Sequence, residues 1–255
     1  MAASDETLSW RVEETCLNAF PSLRQILYRD WLLRFSDGFT RRANSINPRA
    51  VRIEGLEAGI EACAAMFRAG GQQPVFRVPD ITDSRLDALL GVRGYTAEGR
   101  TVTLYAALSD ADAKADPAAE LLAKPSAEWH EAMGVLQNRT AWQNAAFAGI
   151  MASLAVPAAF AALREDGELT ALTVGAVHDG LLCFESVVTA ERYRGRGHAR
   201  RLLASLNAWA IGIGASGVCL QVEATNTAGR ALYARLGLKT ELYGYHYRRA
   251  PVGAD

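Results

Sequence analysis

Apolar positions along the chain switch repeatedly between a spacing of three to four residues and a spacing of two, so helices and strands alternate. In the amino half the pattern predicts a helix over 8–20, a strand over 30–35, a turn at Ser36-Asp37-Gly38 and a second strand over 39–46. A helix over 56–69, a strand over 74–78, a helix over 84–90 and a strand over 95–108 follow. Residues 109–125, with their Asp-Ala-Asp-Ala-Lys-Ala-Asp-Pro run, read as a solvated linker with helical tendency over 118–123. The boundary between two domains, 1–110 and 111–255, is expected there.

Beyond it, helices are predicted over 127–138 and 141–154, then a strand over 158–164 closed by Asp166-Gly167. Strands over 169–178 and 181–189 are joined by Asp179-Gly180, a dipeptide suited to a tight hairpin because both positions tolerate positive φ. A short buried strand over 217–223, a helix over 228–236 closed by Gly237 and a strand over 240–248 complete the order. The fold class is α/β, with a mixed, mostly antiparallel twisted sheet flanked by helices. A faint repeat also appears: Phe76-Arg-Val78 through Gly94-Tyr95 parallels Leu220-Gln-Val222 through Gly237-Leu238.

Half of the 255 residues are hydrophobic, enough for a sizeable core, and the net charge of −1 gives no general attraction to nucleic acid. Cys16, Cys63, Cys183 and Cys219 are scattered without a Cys-x-x-Cys pair, and the four histidines are separated, so reduced buried thiols and no metal are expected. No apolar run reaches the ~20 residues of a membrane helix. The start, Met1-Ala-Ala-Ser-Asp-Glu6, has neither the basic nor the apolar region of a leader, and a cytoplasmic location is expected.

The most informative segment is 192–203, Arg-Tyr-Arg-Gly-Arg-Gly-His-Ala-Arg-Arg-Leu-Leu, a glycine-punctuated basic turn between a strand and a helix. Such an arrangement aims free backbone N–H groups at one point, where a diphosphate can bind. Gly195 and Gly197 allow close approach and positive φ, and Arg194, Arg196, Arg200 and Arg201 add charge. The Walker loop, which needs Lys followed by Ser or Thr, and the three-glycine dinucleotide fingerprint both fit poorly.

Arg194-x-x-Gly197-x-Ala199 resembles the Arg/Gln-x-x-Gly-x-Gly/Ala signature of the GCN5-related N-acetyltransferases (GNAT), and Asn226 through Leu238 resembles their later Asn-x-x-Ala-x-x-Leu-Tyr-x-x-x-Gly-Phe motif, with Gly229 and Leu238 departing from it. The resemblance is specific over 110–248 and extends to the first hundred residues through element order alone. It implies the acyl-CoA N-acyltransferase fold in tandem form: a full carboxyl-terminal domain, and a partial amino-terminal copy that lacks the phosphate turn.

The same resemblance implies acetyl-CoA as co-substrate, held by Val187, Val188, Thr189, Arg194, Gly195, Arg196, Gly197, His198, Ala199, Arg200, Asn226 and Tyr233. An amine-bearing small molecule or peptide would be the acceptor, with a monomer or homodimer as the working unit. Tyr233 stands where the family's general acid stands. For the base, Glu185 within the apolar run of its strand is favoured, because burial raises a carboxyl's pKa toward a useful range; Glu223 and a water chain remain alternatives. Trp129, His130, Trp142, Asn144 and His246, with Trp31, Arg34, Arg41 and Arg42 of the amino half, are candidates for the acceptor pocket or for plain structure. A non-catalytic acyl-CoA-binding regulator and a transferase using another acyl donor are the competing functions.

Overall fold

The computed structural model describes residues 3–252. In chain order the amino half runs α1 (Ala3–Ala19), β1 (Arg24–Tyr28), β2 (Trp31–Phe35), β3 (Ser45–Pro48), α2 (Leu56–Ala69), β4 (Val75–Pro79), α3 (Arg85–Val92) and β5 (Thr96–Ala107). The carboxyl half runs β6 (Ala119–Leu122), α4 (Ala127–Leu136), α5 (Ala141–Ala152), β7 (Ala158–Glu165), β8 (Glu168–His178), β9 (Leu181–Thr189), α6 (His198–Gly212), β10 (Gly217–Glu223), α7 (Thr227–Arg235) and β11 (Thr240–Arg249).

All eleven strands join one sheet in the order β1-β2-β3-β4-β11-β5-β10-β9-β8-β7-β6. The pairs β3–β4 and β9–β10 are parallel, and the other neighbours are antiparallel. Element order repeats between the halves: a helix follows the first strand of each parallel pair, and a helix and a last strand follow the second. Those last strands are exchanged. β11 lies between β4 and β5 of the amino half, while the later part of β5 pairs with the whole of β10 of the carboxyl half, from Ala107↔Gly217 to Thr101↔Glu223.

Alternation along the strands assigns the layers. Leu182 and Phe184 pack with Leu202, Leu203, Leu206 and Ala210 of α6 on one face, whereas Leu181 and Cys183 pack with Val12, Cys16 and Ala19 of α1 on the other. β9 is therefore covered on both sides, which is why its apolar run is nearly continuous. The helices α4 and α5 cover Phe160, Ala162, Leu172 and Val174, and α2 with α3 covers Trp31, Leu33, Ile46, Phe76 and Val78. Among the described residues, no helix is long and apolar enough to cross a membrane.

Two expected elements differ, and one strand was not expected. Residues 39–46 do not form one strand: a 3-10 turn at Arg41–Ala43 precedes β3, because Asn44 bonds the loop instead of a ladder. Its Oδ1 accepts from the Ser36 and Gly38 amides at 2.6 and 3.0 Å, and its Nδ2 donates to the Thr40 carbonyl at 2.9 Å. The helical tendency expected over 118–123 gives way to β6, an edge strand that gains ladder partners on β7 from Ala119↔Leu163 to Leu122↔Phe160. β1 leaves no periodic signal because most of it is exposed at the other edge.

Candidate active site

The parallel pair β9–β10 is in register at Gly217↔Leu181, Val218↔Leu182 and Cys219↔Cys183, and then the strands part. Beyond that point β9 carries an irregularity. Leu172 faces Val188 while Val174 faces Glu185, so Thr173 alone opposes Ser186 and Val187. Ser186 takes the bulge with φ of +53°, and the Thr173 hydroxyl donates to the Glu185 carbonyl at 2.9 Å, pinning it. A bulge re-aims side chains and frees backbone groups from the ladder, as at many active sites. Here it opens into a cleft of about 560 Å³.

The cleft is lined from both halves. β9 contributes Phe184, Glu185, Ser186 and Val187; β10 contributes Gln221, Val222 and Glu223; Asn226 and Tyr233 come from the α7 segment. The amino half adds Phe20, Phe39, Thr40, Arg41, Arg42 and Thr101, and β11 adds Tyr245 and Tyr247.

Glu185 is 3% exposed and ion-paired through Oε2 to the Arg42 guanidinium. Burial raises its pKa above the ordinary glutamate value; the Arg42 charge opposes that shift without cancelling it. Arg42 is itself positioned by the amino half: the buried Arg34 donates to the Arg42 carbonyl at 2.9 Å and to the Leu17 carbonyl at 3.2 Å. Tyr233 is 9% exposed, and burial, reinforced by the Glu185 charge, pushes its phenol up to about 12. The two groups thus face the cleft as a buried carboxyl and a firmly protonated hydroxyl. Glu223 is exposed at the rim.

β9 leads from the cleft wall through Val187, Val188 and Thr189, all half-buried, to the glycine turn. Gly195 has φ of +79°, and Gly197, at the N-cap of α6, has +85°, with open space where a Cβ would stand on either. These conformations require glycine. The amides of His198, Ala199 and Arg200 open the helix, where no intrahelical carbonyl is available to them. Arg194, Arg196 and Arg200 are exposed around this turn, and Arg196 reaches Glu165 at 3.4 Å. Arg201 instead clasps Asp116 at 2.5 Å. The His198 side chain turns away from the turn, stacking on Tyr193 and sitting 2.8 Å from Thr170 Oγ1 and 2.9 Å from Glu165, so its amide is the part directed to the turn. Asn226 is exposed and caps α7 through Oδ1, which accepts from the Gly229 amide at 2.8 Å.

The aromatic and polar singles proposed from sequence go elsewhere. Trp129 is 1% exposed and its indole donates to the Ala161 carbonyl at 3.1 Å; Asn144 donates to the His130 carbonyl at 3.2 Å; Trp142 is exposed. Trp31 is core, and His246 meets Asp87 at 2.7 Å. The part of this region that lines the cleft is the connection between α4 and α5, with Gln137, Asn138, Arg139 and, one turn later, Gln143. Sequence reasoning missed Arg139, and a lone cation between two helix signals gave no reason to choose it.

Sequence spacing also concealed a thiol cluster. The Sγ atoms of Cys16, Cys183 and Cys219, all buried, lie within 4.8 Å of one another, and the Cys183 Sγ is 3.7 Å from Glu185 Oε1. Among the described residues this is the one group of three Cys, His, Asp or Glu side chains with the reach to hold a metal ion, and thiolates of this type suit soft cations. The three residues come from α1, β9 and β10, so no linear motif records them.

A sheet parted at its parallel pair, a bulged strand leading to a glycine turn, and a helix opening on free amides define an acyl-CoA N-acyltransferase. Residues 10–249 match the family model described as "Probable histone acetyltransferase Rv0428c C-terminal". The chain belongs to this family, is a GNAT protein, and is an enzyme that transfers acyl groups. It is 25% identical over 245 residues to the "Uncharacterized N-acetyltransferase YobR" of Bacillus subtilis (strain 168), covering 93% of this chain and 97% of that one. A GCN5-related N-acetyltransferase structure from Kribbella flavida superposes with a TM-score of 0.69 over 99% of this chain and 98% of that one, at 15% identity. A tandem GNAT protein from the clavulanic acid biosynthesis pathway gives 0.64 over 83% of this chain and 76% of that one, at 13% identity. At such identities the two structures speak for the fold.

Proposed function

We propose that the protein transfers the acetyl group of acetyl-CoA to a primary amine bound in the cleft between β9 and β10. The observation that carries this reading is the convergence of Glu185 and Tyr233 on a cleft whose wall, β9, ends in the glycine turn before α6. The positive φ of Gly195 and Gly197, and the space around them, fit a diphosphate resting on the first-turn amides, with Arg194, Arg196 and Arg200 around it. Acetyl-CoA would supply the activated thioester carbonyl; the remaining chemistry falls to the chain.

The bulge at Ser186 and Val187 presents backbone donors toward the carbonyl as it becomes an oxyanion. Glu185, directly or through a water chain, accepts the proton lost by the amine nitrogen as the new C–N bond forms. Tyr233 donates its phenolic proton to the departing sulfur as the C–S bond breaks. Its raised pKa keeps that proton in place at neutral pH. Proton exchange with solvent then resets both groups.

The amino half is read as a second copy of the fold. Its α2 also begins at a left-handed glycine, Gly55 with φ of +59°, and β3–β4 is a brief parallel contact at Ile46↔Phe76. Glu54 and Glu57 flank that glycine, which suits no polyphosphate. This half serves the site through Arg41 and Arg42 instead.

The reading is tested by mixing the protein with acetyl-CoA and pooled amines and following free thiol. Amine-dependent CoA release is expected. Binding of acetyl-CoA with no release in any pool favours the non-catalytic regulator.

A further inference from the structure

Charges in the cleft are unevenly matched. Arg42 is paired with Glu185, and Arg41 reaches Glu98 at 3.2 Å. Arg139 differs: among the described residues no carboxylate pairs with it. Its guanidinium lies 3.6 Å from the Phe147 ring centroid and 5.6 Å from that of Phe39, with Nη2 donating to the Gln137 side chain. Nη1 is buried without a hydrogen-bond partner. Burial without a counter-charge lowers the Arg139 pKa to about 10.

A buried cationic donor left unpaired is costly, and native structures carry such groups where a ligand or water completes them. Aromatic rings beneath the guanidinium fix its plane, and a planar fork of donors matches a carboxylate. Arg139 also sits on the α4–α5 connection and lines the same cleft as Glu185 and Tyr233.

We infer that Arg139 is an anion subsite, and that the acceptor is a small amine bearing a carboxylate, such as an amino acid, rather than a polybasic protein tail. This rests on the acyl-transfer reading above. A lysine-rich tail would bring further cations beside the unpaired Arg139, with Arg41 and Arg42 already matched by Glu98 and Glu185 and the exposed Glu223 as the free acid among the lining residues.

The test uses matched pairs, amino acids against their carboxamides, at two levels. With CoA bound, equilibrium binding of each member is measured by calorimetry on the full chain; with acetyl-CoA, kcat/KM is measured for each. A charge-assisted pair contributes about 1.5–3 kcal/mol, so for at least one pair the carboxylate member is expected to be favoured roughly 10- to 100-fold. In R139Q that ratio should collapse to about one through KM, and R139K should restore part of it. CoA binding by each variant reports that it is folded.

Loss of the inference and loss of the acyl-transfer reading are separable. If the wild-type chain binds no acetyl-CoA, both fall. If it binds acetyl-CoA but no pair shows a preference, or the preference survives in R139Q, or a lysine-rich peptide is acetylated faster than every carboxylate-bearing amine, the anion subsite alone is overturned.

Discussion

At the residue scale the proposed reaction rests on two titratable groups in unlike surroundings, the buried carboxyl of Glu185 and the phenol of Tyr233. Tyr233→Phe removes one oxygen from a side chain that belongs to the buried apolar cluster around β9, β10 and α6, so the fold should persist. Positioned acid catalysis contributes typically 10²- to 10⁴-fold, and kcat should fall by about that much with acetyl-CoA affinity within ~3-fold of wild type. Steady-state kinetics with calorimetry checks both.

For Glu185 the sign follows from its raised pKa. The base form is lost as pH falls through a value above the ordinary glutamate range, so the acidic limb of kcat/KM should lie correspondingly high. Glu185→Gln should lower the rate and abolish that limb. Persistence of an unchanged limb in the variant would locate the base elsewhere.

Glu185 and Tyr233 were singled out by an acid within an apolar run and by a motif, and both line the cleft. Arg42 was legible as a candidate but not as a partner, since 143 residues separate it from Glu185. Arg139 and the thiol cluster were not legible at all. Their meaning lies in which elements the sheet brings together.

At the element scale, strands covered on both faces and helices with one buried stripe were read closely. α2 was expected over 56–69 and spans Leu56–Ala69, its stripe made of Leu56, Ile60, Cys63, Ala64 and Phe67. The hairpin at Asp179-Gly180 forms with φ of +47° and +70°, and the helix stop at Gly237 has +88°. What failed were edges and polar-stabilised turns. β1 and β6 owe their state to neighbours along the sheet, and the loop before β3 owes its shape to Asn44, so local periodicity had nothing to register.

The opening of α6 gives a prediction at this scale. In Gly197→Ala a Cβ is forced into a left-handed conformation, costing about 1–2 kcal/mol. A drop of a few degrees in Tm is expected, together with a larger loss of acetyl-CoA affinity than in any variant of the exposed Arg200. Ligand-induced thermal shifts measure both quantities in one series.

At the scale of the whole molecule the governing feature is the exchange of β5 and β11. Each half ends in a strand that lies beside the other half's strands, and β11 carries Tyr245 and Tyr247 of the cleft as well as Tyr243, whose hydroxyl donates to the buried Glu13 at 2.7 Å. Chains 1–110 and 111–255 made separately should each leave an unpaired central strand exposed. Each is expected to aggregate or lack cooperative unfolding, whereas the intact chain should unfold in one transition followed alike by circular dichroism and tryptophan fluorescence. Independent two-state unfolding of either fragment would contradict this. The sequence offered a faint internal repeat and a boundary near 110, but the pairing of β5 with β10 and of β11 with β4 joins distant segments and leaves no local trace.

This interleaving also bears on synthesis. Residues near position 249 must leave the ribosome before the central seam of the sheet can close, so β4 and β5, though made first, stay apart until the carboxyl half has been synthesised. Nascent chains stalled short of β11 should therefore be the species that chaperones hold, and termination just before β11 should be as damaging as termination within the amino half.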